Sequence, residues 1–126
     1  MRPVLRFAGC FNLLAGTAMV CLYHEGYGLL GIPKPELILP VQVMGILVAL
    51  FGVGYHLVAR HPIENRNILV LGFWSKALSS AAAIWYVADG TLPWWFAVVV
   101  FFADVIYLPP FYLIIRSLPR AELPRL

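Results

Sequence analysis

Residues 4–22, 38–59, 67–88 and 93–116 of this 126-residue chain are almost unbroken runs of apolar side chains, each about 19 to 24 residues long. A helix rises about 1.5 Å per residue and the hydrocarbon core of a bilayer is about 30 Å thick, so about 20 such residues make one crossing. With no water in that core, backbone N–H and C=O groups must be paired inside the element, which leaves helices or a closed barrel. The runs are continuous rather than alternating, so they predict helices. Composition agrees: 62% of residues are hydrophobic and 12% charged, outside the range of ordinary soluble domains. The expected fold is all-α, a single integral membrane domain over 1–126. Short connections at 61–66 and 89–92 make it an up-down-up-down four-helix bundle.

Orientation follows from the basic residues. Arg2, Arg6, Arg60, Arg66, Arg116, Arg120 and Arg125 fall on one side of a four-span chain, and the opposite loops hold only Lys34. That places both N- and C-termini in the cytoplasm, with 117–126, which contains Pro119 and Pro124, as a loose cytoplasmic tail. The net charge of +3 therefore describes topology. The expected partner is the lipid bilayer and not nucleic acid, because no basic stripe interleaved with exposed aromatics is present. Before Phe7-Ala8-Gly9-Cys10 there is no apolar h-region, so the first run reads as a span and not as a cleaved leader. The connection 23–37 holds Gly26, Gly28, Gly31, Pro33 and Pro35, which predicts an ordered turn or short re-entrant piece more than a helix. Tyr23, Tyr27, Trp85, Tyr86, Trp94 and Trp95 mark the outer interface, and Tyr55 and Tyr112 the inner one. Small residues define two packing stripes: Gly45, Ala49, Gly52 and Gly54 on the second span, and Gly72, Ser75, Ser79 and Ala82 on the third.

Two opposite charges interrupt the last two spans. Lys76 lies fifteen residues before Thr91 and Asp104 thirteen after it, so in an antiparallel hairpin they stand at nearly equal depth, about 20 Å from the turn and near mid-membrane. Each costs at least about 2.5 to 3.5 kcal/mol at the bilayer centre, so each demands a partner, water or a function. Pairing satisfies both and fixes how the two spans meet; a pair that a ligand or proton opens during a cycle satisfies them as well. Asn12 on the first span and Ser75, Ser79, Ser80 and Tyr107 are close in depth and complete a candidate polar pocket. Tyr107 follows Asp104 by three residues on one helical face, near enough to cap the carboxylate or reach a ligand there. Pro109 and Pro110 remove donors for the carbonyls of Val105 and Ile106, which predicts a kink just below Asp104.

Other chemistry finds no spacing. His24 belongs to one side of the membrane and His56 and His61 to the other, so no metal site forms from histidines, and no zinc, haem or iron-sulfur pattern exists. The serines have no histidine base at their depth, and Asp104 has no second carboxylate beside it. Cys10 and Cys21, about 16 Å apart along one helix, cannot bridge within the chain and read as buried apolar thiols. No cofactor is called for, and a non-enzymatic role is expected.

From Val41 onward the order Gly52-x-Gly54-Tyr55, Ala59-Arg60-x-Pro62, Gly72-x-x-x-Lys76 and Asp104-x-x-x-x-Pro109 resembles a group of small bacterial four-span integral membrane proteins, loosely DoxX-like in plan. The resemblance implies a four-span fold in a bacterial cytoplasmic (inner) membrane and brings no reaction or ligand. It does not extend to small multidrug transporters, whose membrane carboxylate lies in the first span, or to fluoride channels, whose phenylalanine-rich pore motifs are absent. Two classes of function fit the residues. One handles a small molecule or proton at the mid-membrane site of Lys76, Asp104, Asn12, Tyr107 and Ser79; four spans enclose little volume, so this implies a homo-oligomer. The other is a non-catalytic accessory or assembly subunit of a larger membrane complex. A lipid- or quinone-modifying enzyme using Asp104 as acid is a third.

Overall fold

The computed structural model describes residues 2–118, and among them every regular element is a helix. In chain order these are α1 (Arg2–Cys21), α2 (Tyr23–Leu30), α3 (Leu39–Arg60), α4 (Arg66–Ala88), α5 (Trp95–Ala103), a 3-10 turn (Val105–Tyr107) and α6 (Leu108–Ser117). Four helical segments are long and apolar enough to cross a membrane: Arg2–Cys21, Leu39–Arg60, Arg66–Ala88 and the interrupted Trp95–Ser117. The chain divides into two compact units, Arg2–Arg60 and His61 onward. Of the tail expected to be loose at 117–126, the part beyond Leu118 lies outside the described residues.

In the first unit α1 packs on α3 through glycine. Gly9 lies against Gly52 and Gly16 against Gly45, and all four are buried. A Cβ on Gly52 would sit 2.7 Å from the Gly9 carbonyl oxygen and 2.8 Å from the Leu13 nitrogen, so these backbones touch where no side chain fits. Glycines seven residues apart on both helices return to the same face every two turns. Two amides add cross-helix hydrogen bonds: Asn12 Nδ2 donates to Val48 O and Gln42 Nε2 to Val20 O, each at 3.3 Å. Tyr55, expected to mark the inner interface, is 1% exposed, so protein and not headgroups surrounds its ring. It follows Gly52 by three residues and so shares its face of α3.

The connection after α1 is helical where the sequence argued against it. α2 continues α1 across a single off-helix residue, Leu22, with φ −118° and ψ 28°. Leu22 N–H donates to Ala18 O at 2.7 Å and Gly26 N–H to Leu22 O at 2.9 Å, so the backbone stays paired. Gly26 and Gly28 cost this helix about 1 kcal/mol each, and Pro33 and Pro35 fall beyond its end. Gly31, at φ 66°, stops the helix, its N–H donating to Gly28 O at 3.3 Å.

The second unit is α4, a turn, and the broken helix α5–α6. Thr91 N–H donates to Asp89 Oδ1 at 2.9 Å and Gly90 takes φ 87°. Hydrogen bonds from the Thr91 side chain and backbone hold the Asp89 carboxyl below its ordinary range. Of the small-residue stripe expected on the third span only Gly72 is buried: Ser75, Ser79 and Ala82 are exposed, and α4 buries Leu69, Lys76 and Ser80 with it. Leaving a lysine toward lipid costs more than forgoing small-residue contact, so Lys76 decides which face turns inward.

The glycine contact gives a direct test. Gly52→Val is expected to destabilise the protein by roughly 3 kcal/mol, the upper end for overpacking, because backbone and not a flexible side chain must yield. Gly28→Ala, at a site with nothing within 4 Å of the added carbon, is expected to be neutral or to stabilise by about 0.5 to 1 kcal/mol. Detergent-titration unfolding followed by circular dichroism measures both, and equal effects would refute the glycine account.

Candidate functional site

The fourth span breaks at Asp104. α5 ends at Ala103, Asp104 takes φ −130° and ψ −53°, and the next three residues form a 3-10 turn before α6 begins. The cause lies one turn ahead, where Pro109 and Pro110 cannot donate to the carbonyls of Val105 and Ile106. The chain tightens to compensate: Leu108 N–H donates to Val105 O, and Tyr107 N–H donates to Asp104 O at 3.1 Å. The two prolines then sit in the first turn of α6, where a missing N–H costs nothing.

This tightening has a consequence for the carbonyl of Ala103. In a continuous α-helix it would accept from the N–H of Tyr107; here that N–H goes to Asp104 instead. Lys76 Nζ takes the vacated position, donating to Ala103 O at 3.3 Å and to Asp104 Oδ1 at 3.3 Å. It also lies 4.9 Å from the centre of the Tyr107 ring, in cation–π geometry. Lys76 is 5% exposed and its ammonium has a carboxylate, a carbonyl and an aromatic face around it. Asp104 is different: its side chain is 27% exposed, and its second oxygen has no hydrogen-bond donor among the described residues.

The structure therefore brings Lys76, Asp104 and Tyr107 together. Tyr107 is buried and offers its ring face to Lys76, where the sequence suggested a phenol directed at the carboxylate. Ser79 is exposed, whereas its neighbour Ser80 is 3% exposed with a hydroxyl that has no partner among the described residues. Ser80 follows Lys76 by four residues and so shares its buried face. Asn12 belongs to the first unit, where its amide donates to Val48 O.

Some contacts were not foreseen from sequence. Both cysteines are exposed, not buried, and Cys10 Sγ lies 3.7 Å from His56 Nε2. A residue spacing of 46 along the chain gives no local signal for that pair; only the Gly9–Gly52 register places it. An open groove of about 270 Å³ on the first unit, lined by residues such as Leu13, Thr17 and Leu50, is almost wholly apolar and holds no charged group. Among the described residues no cluster of His, Cys, Asp or Glu is placed to hold a metal ion.

No family model matches this chain, and neither a curated protein nor a solved structure does. Fold and site together define the class: an all-helical, multi-pass membrane protein with four helices long and apolar enough to span, in which a buried lysine is anchored at the break in the last of them.

A double-mutant cycle tests the anchoring. Lys76→Met or Asp104→Asn alone is expected to destabilise by about 3 kcal/mol, because each strands a charge, while the double variant recovers most of the loss. Additive single effects in unfolding titrations would mean that the two side chains do not interact.

Proposed function

We propose that this protein handles a proton, or a small molecule taken up together with one, at the Lys76–Asp104 site within the membrane. Asp104 is the group that gains and loses the proton, and Lys76 is its fixed counter-charge. One observation carries this reading: the lysine is enclosed by Asp104, Ala103 and Tyr107, while the carboxylate keeps an open oxygen and partial exposure. A pair serving only to join two spans gains nothing from enclosing its lysine while its carboxylate stays partly exposed. The break at Asp104 also supplies a place where the span can bend as the charge changes.

In this reading the spans form an up-down-up-down bundle in a bacterial cytoplasmic membrane with both termini inside, supported by the grouping of Arg2, Arg6, Arg60, Arg66 and Arg116. The working unit is a homo-oligomer, since four spans alone enclose too little room for a pathway. A second reading has the pair as architecture in an accessory or assembly subunit. The direct 3.3 Å contact favours it, because a satisfied pair needs no ligand.

Infrared difference spectra across an acid-to-alkaline titration in nanodiscs separate the two. Proton handling predicts a carboxylic-acid C=O band that is missing from Asp104→Asn. If the unsubstituted protein lacks that band throughout, Asp104 never binds a proton and the assembly reading stands. That reading in turn requires a stoichiometric complex with unrelated subunits on native purification.

A further inference from the structure

The donors and acceptors around Asp104 restrict what can bind there. An ammonium has three N–H donors and no acceptor, and Lys76 directs its own at Asp104 Oδ1, the Ala103 carbonyl and the Tyr107 ring. An anion would have to draw Lys76 away from all of these, so the site does not offer itself to anions. What remains open is the second Asp104 oxygen, which only accepts. The occupant must therefore donate a hydrogen bond.

Charge narrows the choice further. Lys76 and Asp104 together are neutral, so an organic cation at the carboxylate would leave one uncompensated positive charge in apolar surroundings, where an unpaired charge is far costlier than a neutral polar group. A neutral hydroxyl adds no charge and forms a charge-assisted hydrogen bond with the free oxygen. The surroundings set the rest of the molecule. Phe101, three residues before Asp104 and so on its side of the helix, is a large apolar side chain that is 48% exposed, which suits an apolar or aromatic body. The unpartnered Ser80 hydroxyl, on the buried face of α4 one turn from Lys76, is a second polar atom that a water molecule or a second ligand oxygen can satisfy.

We propose that Asp104 binds an uncharged, lipid-soluble hydroxyl donor, of the phenol or hydroquinone type, through its open carboxylate oxygen. This rests on the reading of the Lys76–Asp104 pair as a functional site, and it concerns binding alone, with no redox step.

The test compares three probes on the unsubstituted protein in nanodiscs, with empty nanodiscs as the partition control: decylhydroquinone, its dimethyl ether, and decyltrimethylammonium. The hydroquinone is expected to bind at least about tenfold more tightly than either of the others, the size of one hydrogen bond to a charged group. In Lys76→Met with Asp104→Leu, which stays neutral, that preference is expected to vanish. Equal binding of the hydroquinone and its ether, or tighter binding of the cation, overturns the proposal, and neither result depends on a variant folding. If the protonated-carboxyl band is present while the three probes bind alike, the ligand class is wrong and proton handling survives. If the band is absent as well, the functional reading fails with it.

Discussion

An ammonium group cannot be left in hydrocarbon, and the second half of this molecule is arranged around that fact. Lys76 turns α4 so that Leu69, Gly72, Lys76 and Ser80 face inward and the small residues Ser75, Ser79 and Ala82 do not. It requires acceptors at its own depth, and a regular helix has none to give, because every mid-helix carbonyl is already engaged by the N–H four residues on. Breaking the fourth span at Asp104 solves this. The break releases the Ala103 carbonyl and presents the Asp104 carboxylate in adjacent residues, and Lys76 uses both. Pro109 and Pro110 make the break inexpensive, since α-helical pairing past Val105 and Ile106 was unattainable in any case.

The first half meets the same solvent with different means. It carries no charge in the middle of its spans, and its helices are held by close backbone approach at Gly9–Gly52 and Gly16–Gly45. Lipid tails are as apolar as leucine, so burying aliphatic side chains gains little there, and contact between backbones supplies the attraction. The amides of Asn12 and Gln42 donate to carbonyls of the facing helix, each adding a modest increment of about 0.6 kcal/mol if it behaves like other interhelical hydrogen bonds in membranes. One pair of helices thus coheres through many small contacts, and the other is organised by a single strong one.

The four spans were legible because length and hydropathy depend only on composition along the chain. The Lys76–Asp104 contact was legible by counting, since a short turn at Thr91 fixes equal depth on both arms. The break just past Asp104 was legible from the prolines, since the 3-10 turn Val105–Tyr107 that repairs the lost donors lies directly before them. What could not be read was rotation about a helix axis. Ser79 and Ser80 differ by one residue and are chemically identical, yet one is exposed and the other buried, and only the inward turn of Lys76 decides which. The same ignorance of rotation put Cys10 inside. The helix at Tyr23–Leu30 was missed for another reason: glycine and proline were counted over the whole connection 23–37, whereas Gly31 is the helix stop and Pro33 and Pro35 lie beyond it.

A satisfied charge pair explains why both charges can exist, and by itself that argues for architecture. A strut and a working site differ in how evenly the two charges are enclosed. Were the pair a strut, its simplest form would enclose both ends alike. Here Lys76 is enclosed on every side that its chemistry can use, whereas Asp104 has one contact and a side chain more than a quarter exposed. The fixed partner is thus the one that has no acceptor capacity to offer, and the open partner is the one able to take a proton or a donor. That division supports the proposed reading of Lys76 as a fixed counter-charge and Asp104 as the group that exchanges, for which the break in the helix backbone at Asp104 would give room to respond.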